Sequence, residues 1–594
     1  MMKSLFAGAA FGLVGVSSII ALPALGQATV GYIELEDSPI ERPGPFDWLS
    51  SGGASPTLLD VVSAFERAAE DDSLDAVVVR LKGAGIARYQ IEEIGRAMEK
   101  VRASGKKIHI FSESYGMGDL LLASHADDVL AQAGGPVSLP GLYAESMFYR
   151  DMFDWVGITP DFVQIGDYKG ANESYMNDRP SDAWEENISQ LLDSVYEQMR
   201  GTLKDGRGMN DRSLDRAMEE AWYTDAEHAE ELGLIDSAID LDDLGSYVED
   251  AYGSGVRWNK DLLQTSGGLD IDTGNPFAVF GLLTAKPDFG PDGPAIAVVH
   301  IDGPIMDGES SPGGLFGSPT VGSRSIRRII NDIAEEDDIG GVIVRINSPG
   351  GSATASEVIW RGFQRLSETK PVWVSVGSLA ASGGYYIAVS GDKIYVNDSS
   401  VVGSIGVVGG KLAMGGVYDK LRLNVVQRSR GPRAGMFGSV EPWTLDERRA
   451  VRSAMEETYE QFTDRVTTGR PDIDLSRTAE GRLFTGDKAV DLAMADKIGS
   501  LEVAIDDLAS EIGFGEFEVL HYPGPQDFET LLEQAFGVAN APSITSGVRA
   551  GVLGTALETL SPELRASVMQ TIDAAVMLRN EPVMLLDVNP IVIR

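Results

Sequence analysis

Cysteine is missing from all 594 residues, which removes disulfides, thiolate zinc sites, iron–sulfur clusters and a cysteine nucleophile together. Histidine is nearly as scarce. His109, His125, His228, His300 and His521 include no pair at helical metal-binding spacing and no H-E-x-x-H, so a histidine metal site would need assembly from distant segments. Neither a metal nor a cofactor is expected. Basic residues are outnumbered, 49 against 90 acidic ones, for a formal charge of −41. A surface of that sign repels nucleic-acid phosphates and anionic head groups, so no nucleic-acid partner is expected.

Long apolar runs are missing too, except at the amino terminus. After Lys3 no side chain is formally charged until Glu34, and Leu5 to Leu22 is mostly apolar or small. The length falls between a secretory signal, with an apolar stretch of about 7–15 residues, and a spanning helix of about 20. Residues 1–27 therefore read as a cleaved signal peptide, with Ala24-Leu25-Gly26 as the cleavage site and Pro23 ending the helix, or as an uncleaved anchor. With only Lys3 ahead of the run, the body is expected outside the cytoplasm. The remainder, in a chain that is 43% hydrophobic and 23% charged, is a globular balance of roughly two to four domains.

The body repeats itself. Asp75–Leu81 (Asp-Ala-Val-Val-Val-Arg-Leu) reads like Gly340–Ile346 (Gly-Gly-Val-Ile-Val-Arg-Ile), 265 positions later, and at the same offset Gly118 meets Gly383 and His125–Val129 meets Ser390–Ile394. Further on, Trp222–Asp225 with Leu232–Asp236 resembles Leu483–Gly486 with Ala495–Gly499. Within the second repeat, strand runs at Ala295–Ile301, Gly341–Ile346 and Val372–Val376 alternate with helical patterns near Ser325–Glu336 and Ala353–Leu366. That alternation predicts an α/β unit with parallel strands. The expected organisation is a repeat over 28–265, a Gly/Pro/Asp-rich linker over 266–294 with an apolar island at Phe277–Leu283, a second repeat over 295–519, and a helical tail over 520–594 ending in an extended piece.

Chemistry is expected where the repeats differ. Asn347-Ser348-Pro349-Gly350-Gly351-Ser352 follows a strand and precedes a helix, where adjacent glycines can turn N–H groups toward an oxyanion, although a plain glycine turn fits the same spacing. Ala380-Ala381-Ser382-Gly383-Gly384 puts a serine among small residues on a strand-to-helix bend, as an approachable nucleophile requires and as close helix packing would also produce. The first repeat has Met117 opposite Ser382 and keeps Gly118, so the bend is expected to survive there without the hydroxyl. No histidine and aspartate pair offers a base. Lysine becomes one only when burial favours its neutral form. Lys169, in Gln164–Glu173 after the first repeat's late strand, is one position for it, and an ordinary exposed lysine fits the local sequence equally well.

Asn347–Ser352 with Thr354–Ile359, Ala380–Tyr385, Gly403-Ser404-Ile405-Gly406 and Tyr168-Lys169 together resemble the signal peptide peptidase SppA family in its long two-domain bacterial form, over nearly the whole chain. The resemblance implies a tandem duplication of a Clp-peptidase/crotonase-like ββα superhelical domain behind a membrane segment. It implies a Ser–Lys dyad divided between the repeats: Ser382 as nucleophile, Lys169 as general base, Ser404 beside them to orient the lysine, and an oxyanion site from the N–H groups of Gly351 and Gly383 with Gly350 shaping the turn. For Ser404 a turn serine capping local backbone is the other reading. Gln427–Arg433, with arginine where lysine would stand, makes the second repeat's counterpart incompetent as a base. Gly170-Ala171-Asn172 departs from the commoner Lys-Ser-Ala, and the glycine- and serine-rich Gly308–Ser323 is expected to form a flexible rim.

The function implied is a membrane-bound serine endopeptidase degrading released signal peptides at the bacterial inner membrane. Its body would face the periplasm, as a homo-oligomer, by resemblance a tetramer. The alternatives are a broader Ser–Lys peptidase of exported or membrane-protein fragments, a non-catalytic assembly scaffold, and a crotonase-type acyl-CoA enzyme, the last disfavoured by the export signal.

Overall fold

The alternation of buried apolar runs with helical periodicity becomes two parallel sheets with the same strand order. The computed structural model describes residues 27–44, 55–264, 289–311 and 319–525, with the backbone of 583–586 and 592–593. The amino-terminal segment, the apolar island of the linker and most of the tail lie outside the described residues.

In the first repeat the order is Arg257–Asn259, Thr29–Leu35, Ala76–Leu81, Lys107–Ser112, Asp128–Gln132, Ser237–Ile239, all parallel. In the second the same path runs Glu518–Tyr522, Ala295–Asp302, Ile339–Ser348, Val372–Ala381, Ile394–Val396, Lys497–Ile498, again parallel, and Val372–Ala381 also carries Val401–Gly403, to which Leu483–Thr485 adds antiparallel. The strands read as unbroken apolar runs because both faces are covered. Val77 and Val79 face one core and Val78 another; Val342 and Val344 share a core with the helices Ser323–Glu335 and Ala353–Leu366, while Ile343 packs toward the helix Leu501–Ile512.

The duplication's register needs correction at its far end, where the sequence similarity sets Asp236 against Gly499. Asp236 instead corresponds to Asp496. Each accepts, through Oδ2, the N–H of the neighbouring strand (Val129 or Ile394, both at 2.7 Å) and donates its own N–H to that residue's carbonyl.

Two strands outrun their expected ends. Ile339–Ser348 begins earlier, and Val372–Ala381 continues past Val376 because Leu379, Ala380 and Ala381 pair with Val401, Val402 and Gly403. The turn at Ser382 is thereby anchored in a sheet. A third sheet joins the repeats: Val321–Gly322, Ile305–Met306, Gly350–Ser352, Val583–Leu586, Val407–Ala413 and Thr159–Ile165. The last strand belongs to the first repeat and runs antiparallel to Val407–Ala413, from Val407 opposite Ile165 to Ala413 opposite Thr159. The described part of the expected flexible rim is tied down. Ser311 and Thr320 exchange backbone hydrogen bonds, Gly322 N–H reaches Ser310 Oγ, and the helix starts at Ser323; residues 312–318 lie outside the described residues.

The repeating arginine has two fates. Arg345 is fully buried between the repeats, with Nε at 2.8 Å from Glu41, a terminal nitrogen at 3.0 Å from Glu93 and the same nitrogen on Ser375 Oγ. Asn397 Nδ2 also donates to Glu93. Its counterpart Arg80 lies at the partly exposed edge near Glu34 and Glu113. A buried guanidinium shared by two carboxylates of the other repeat fixes how the repeats dock, since a shifted docking would leave a charge buried without its partner.

Candidate active site

Ser382 stands between the strand Val372–Ala381 and the short helix Gly383–Ala388, fully buried, with φ 55° and ψ −113°. A non-glycine residue at positive φ is costly and persists only where its surroundings fix it. Here Ser382 N–H donates to Gly403 O at 2.8 Å, and its carbonyl accepts from Tyr386 N–H at 2.8 Å. The small residues after it are a packing requirement. A Cβ on Gly384 would lie 2.7 Å from Ser348 O, and one on Gly383 would lie 2.6 Å from Ser356 Oγ and 3.1 Å from Gly351 N.

Gly350 and Gly351, at φ 95° and 155°, form the short strand Gly350–Ser352. Gly351 has no room for a side chain, because a Cβ there would meet Ile305 O at 1.9 Å. Gly350 N–H donates to Ser348 Oγ at 3.1 Å, which makes Gly350 a turn former. Gly351 and Gly383 approach each other across the turn.

Lys169 follows the inter-repeat strand Thr159–Ile165 through a turn at Gly166 (φ 105°) and is fully buried. Its Nζ lies 2.7 Å from Ser382 Oγ, 2.7 Å from Ser404 Oγ and 3.1 Å from Ser404 O. Gly406 and Gly481 make room for the lysine, since a Cβ at either would press on it. Ser404, buried and at φ 54°, is held by its N–H on Arg482 O at 2.6 Å. Residues 213 and 235 positions apart thus meet on one amine. The departure at Gly170 has a steric cause: a Cβ there would overlap Trp184 Cδ1 at 2.0 Å, so the indole closes over the lysine's turn.

Two expectations for the incomplete counterparts are corrected. The bend at Ser382 does not survive in the first repeat: Met117 is the first residue of the helix Met117–Ala123, and Gly116 before it has φ −87° and ψ 178°. Where Leu379–Ala381 pair with Val401–Gly403, the first repeat keeps the single bridge of Tyr115 with Val137, and its helix takes in one more residue. Nor does arginine replace the lysine. Ala434 N–H closes on Gly431 O as Lys169 N–H closes on Gly166 O, so Lys169 corresponds to Ala434. At the same offset Ser404 corresponds to Leu139.

Asn347 and Ser348, inside the same motif, have a function that the sequence does not announce. Asn347 Oδ1 accepts from Ser378 N–H at 2.6 Å, and Ser348 Oγ joins Gly350 N–H to Gly303 O; together they lock the two turns. Their signal was position inside the motif, but which backbone groups they hold depends on neighbours far along the chain. His300 and His521 are brought together, Nε2 to Nδ1 at 2.9 Å. Burial holds His300 well below its ordinary value and His521 at about 4, so the pair is neutral. Among the described residues, the group able to approach one ion is Glu66, Glu502 and Asp506 at the contact between repeats, already bridged by Lys100.

Peptidase family S49 matches residues 100–253 and 364–514, about half of the chain and one segment in each repeat. The chain belongs to peptidase family S49. It is a serine peptidase whose S49 domain is duplicated. Protease 4 of Haemophilus influenzae is 27% identical over 468 residues, covering 76% of this chain and 72% of that protein. Protease 4 of Salmonella typhi is 26% identical over 528 residues, covering 87% and 81%. The chloroplastic serine protease SPPA of Arabidopsis thaliana is 27% identical over 493 residues, covering 82% and 69%. For an S49 peptidase the contact of Lys169, Ser382 and Ser404 is the arrangement in which to look for chemistry.

Proposed function

We propose that Ser382 is the nucleophile and Lys169 its general base, in a membrane-bound endopeptidase that degrades released signal peptides. The observation that carries this reading is the 2.7 Å contact between Lys169 Nζ and Ser382 Oγ in a fully buried setting. Burial disfavours the ammonium relative to the amine. A neutral amine has two N–H groups and one lone pair; with Ser404 Oγ and Ser404 O taking the N–H groups, the lone pair faces the Ser382 hydroxyl.

The amine then takes the proton from Ser382 Oγ as the oxygen bonds to the scissile carbonyl carbon. The oxyanion is held by the N–H groups of Gly351 and Gly383, and the lysine returns its proton to the departing amine as the peptide bond breaks. Water attacks the acyl-enzyme through the same base. Ser404 is a positioning residue.

The substrate class rests on the third sheet. Val583–Leu586, with the sequence Val-Met-Leu-Leu, runs antiparallel to both Gly350–Ser352 and Val407–Ala413. A slot between the glycine strand and Val407–Ala413 that accepts an extended apolar segment suits the apolar stretch of a signal peptide, bound by strand addition. The parallel sheets with covering helices support the Clp-peptidase/crotonase-like form of each repeat. Residues 1–27 support anchoring at the bacterial inner membrane with the body in the periplasm, and the family resemblance supports a homo-oligomer, by that resemblance a tetramer. No helix of the described residues is long and apolar enough to cross a membrane.

Fluorophosphonate labelling of wild type against Ser382→Ala tests the nucleophile, and label retained in the variant would overturn it. Cleavage of synthetic signal peptides against unfolded polar proteins tests the substrate class. Equal rates would assign a broader peptidase.

A further inference from the structure

Four residues of the second repeat touch both sides of the contact around Lys169. They are Ala479-Glu480-Gly481-Arg482, between the helix Leu475–Thr478 and the strand Leu483–Thr485. On one side they hold the lysine's turn: Tyr168 N–H donates to Glu480 O at 2.8 Å, and a Cβ on Gly166 would lie 2.7 Å from that same carbonyl oxygen. On the other they hold the serine. Arg482 O accepts Ser404 N–H at 2.6 Å, and Gly481 N–H donates to Ile405 O at 2.9 Å. Gly481, at φ 88°, runs against Lys169, where a Cβ would stand 2.4 Å from the lysine's backbone nitrogen. Glu480 takes φ 62° to bring the chain there, a conformation uncommon for a residue with a side chain.

The side chain of Arg482 spans the same gap. Its guanidinium lies over the Tyr168 ring, 4.0 Å from the centroid, and Nη1 donates to Ala479 O at 3.0 Å, closing the loop on itself. Tyr168 OH donates in turn to Glu186 of the first repeat at 3.2 Å. The strand that follows is fixed from the first repeat as well, since Asn187 Nδ2 donates to Leu483 O at 3.0 Å and Leu483 N–H to Asn187 Oδ1 at 2.9 Å.

The first repeat shows which parts of this arrangement its fold can omit. There Leu139 N–H meets Ala221 O at 2.8 Å, as Ser404 N–H meets Arg482 O. Ala221 follows the helix Asp211–Glu220 directly, whereas Ala479, Glu480 and Gly481 stand between Thr478 and Arg482. The three-residue wedge and the arginine are thus peculiar to the repeat in which that bond borders a lysine.

We propose that Arg482 is a positioning residue for the reaction: with its carbonyl on Ser404 and its guanidinium on Tyr168, it sets the spacing between the orienting serine and the turn that carries the base. The proposal rests on the reading of Lys169 as general base. Tyr168 and Lys169 are consecutive, so a shift of the ring moves the root of the amine's chain, and reaction rate falls steeply when the reacting groups are misplaced.

The test is a double-mutant cycle on kcat in the full-length protein. Arg482→Met and Tyr168→Leu each remove one half of the stacked pair and keep the backbone bonds. Each is expected to lower kcat and the fluorophosphonate labelling rate about tenfold, with KM within about twofold of wild type. The double variant is expected to be no slower than the slower single variant, because both changes remove one contact. Arg482→Lys keeps a cation for the ring and is expected to recover about threefold of the loss. Arg477→Met, at an exposed arginine of the preceding helix, is expected to match wild type. If Arg482→Met does not fold, Arg482→Gln takes its place in the cycle. Wild-type kcat per folded enzyme in both single variants, with or without a lower melting temperature, overturns the proposal. So does a rise in KM in place of the fall in kcat, or losses that multiply in the double variant and that lysine does not recover. Lys169→Arg run beside them separates the two claims. Substantial activity in it overturns the base and this role together, whereas an inactive Lys169→Arg enzyme beside an undisturbed Arg482→Met one overturns the role of Arg482 alone.

Discussion

Replacing Ser404 with alanine removes one oxygen from the Lys169 amine and leaves the rest of its setting in place. The hydroxyl lies 2.7 Å from Nζ, and the same residue's carbonyl, at 3.1 Å, remains in the variant. While the amine is neutral, this is one ordinary hydrogen bond, worth about 0.5–1.5 kcal/mol. As the lysine gains the Ser382 proton the bond becomes one from a cation, worth about 1.5–3 kcal/mol. The difference, about 1–1.5 kcal/mol, falls on the transition state, so kcat should drop about 5–13-fold with KM nearly unchanged. Glycine provides the control. Ser404 sits at φ 54°, so Ser404→Gly removes the same hydroxyl while relieving a strain that alanine retains, of order 1 kcal/mol. The two variants should therefore share the kinetic defect and differ in melting temperature, with glycine higher. The assay is steady-state peptide hydrolysis beside fluorophosphonate labelling rate and thermal unfolding. Unchanged kcat per folded enzyme in both variants, with altered melting alone, would refute a positioning role and leave Ser404 a turn serine.

Lys169→Arg should be as inactive as Lys169→Met, since a guanidinium does not accept the serine proton, and the wild-type rate should rise with pH as the amine form fills; substantial activity in the arginine variant, or a flat profile from neutral to alkaline pH, counts against the base. Arg345→Met leaves Glu41 and Glu93 buried without their cation, which should cost about 3–5 kcal/mol of stability and slow labelling of Ser382 as the repeats lose their docking; a melting temperature within a degree of wild type would refute the clamp. Burial first, then the facing Glu66, pushes Glu502 up to about 7 from an ordinary 4.5. A carboxyl raised on folding favours the folded form below its unfolded value and loses that contribution as pH rises through the folded one. Stability should therefore decline between about 4.5 and about 7, and Glu502→Gln should flatten that decline in melting temperature against pH; an equal slope in the variant would sink the assignment.

Elements set by local pattern were legible from residues alone. The apolar runs at Ala76–Leu81 and Ile339–Ser348 are buried on both faces, which leaves an unbroken hydrophobic signature, and the helix Ala353–Leu366 begins where Ser352 caps Ala355 N–H. Ser382 was legible because a bend without room for side chains selects small residues at several consecutive positions. The strand end at Ala381 was less so, since its pairing partner Val401–Gly403 lies twenty residues on and nothing in Gly377-Ser378-Leu379 announces it. Asp236 and Asp496 were misaligned for a similar reason: a carboxylate gripping a neighbouring strand leaves no periodic trace.

The sequence by itself determined the duplication, the parallel α/β character of each repeat and the serine of the second repeat's bend that the first repeat lacks, because these follow from residue type and spacing along one chain. Tertiary structure decided which lysine among many is buried and which serines it meets, since Lys169 reaches Ser382 and Ser404 only after Thr159–Ile165 has crossed to Val407–Ala413 and Arg345 has been clamped by Glu41 and Glu93. It also decided that Met117 is helical where Ser382 is not, and that Ala434 answers Lys169. A side chain's burial and the conformation of a turn are fixed by groups hundreds of residues away, and local sequence carries no record of them.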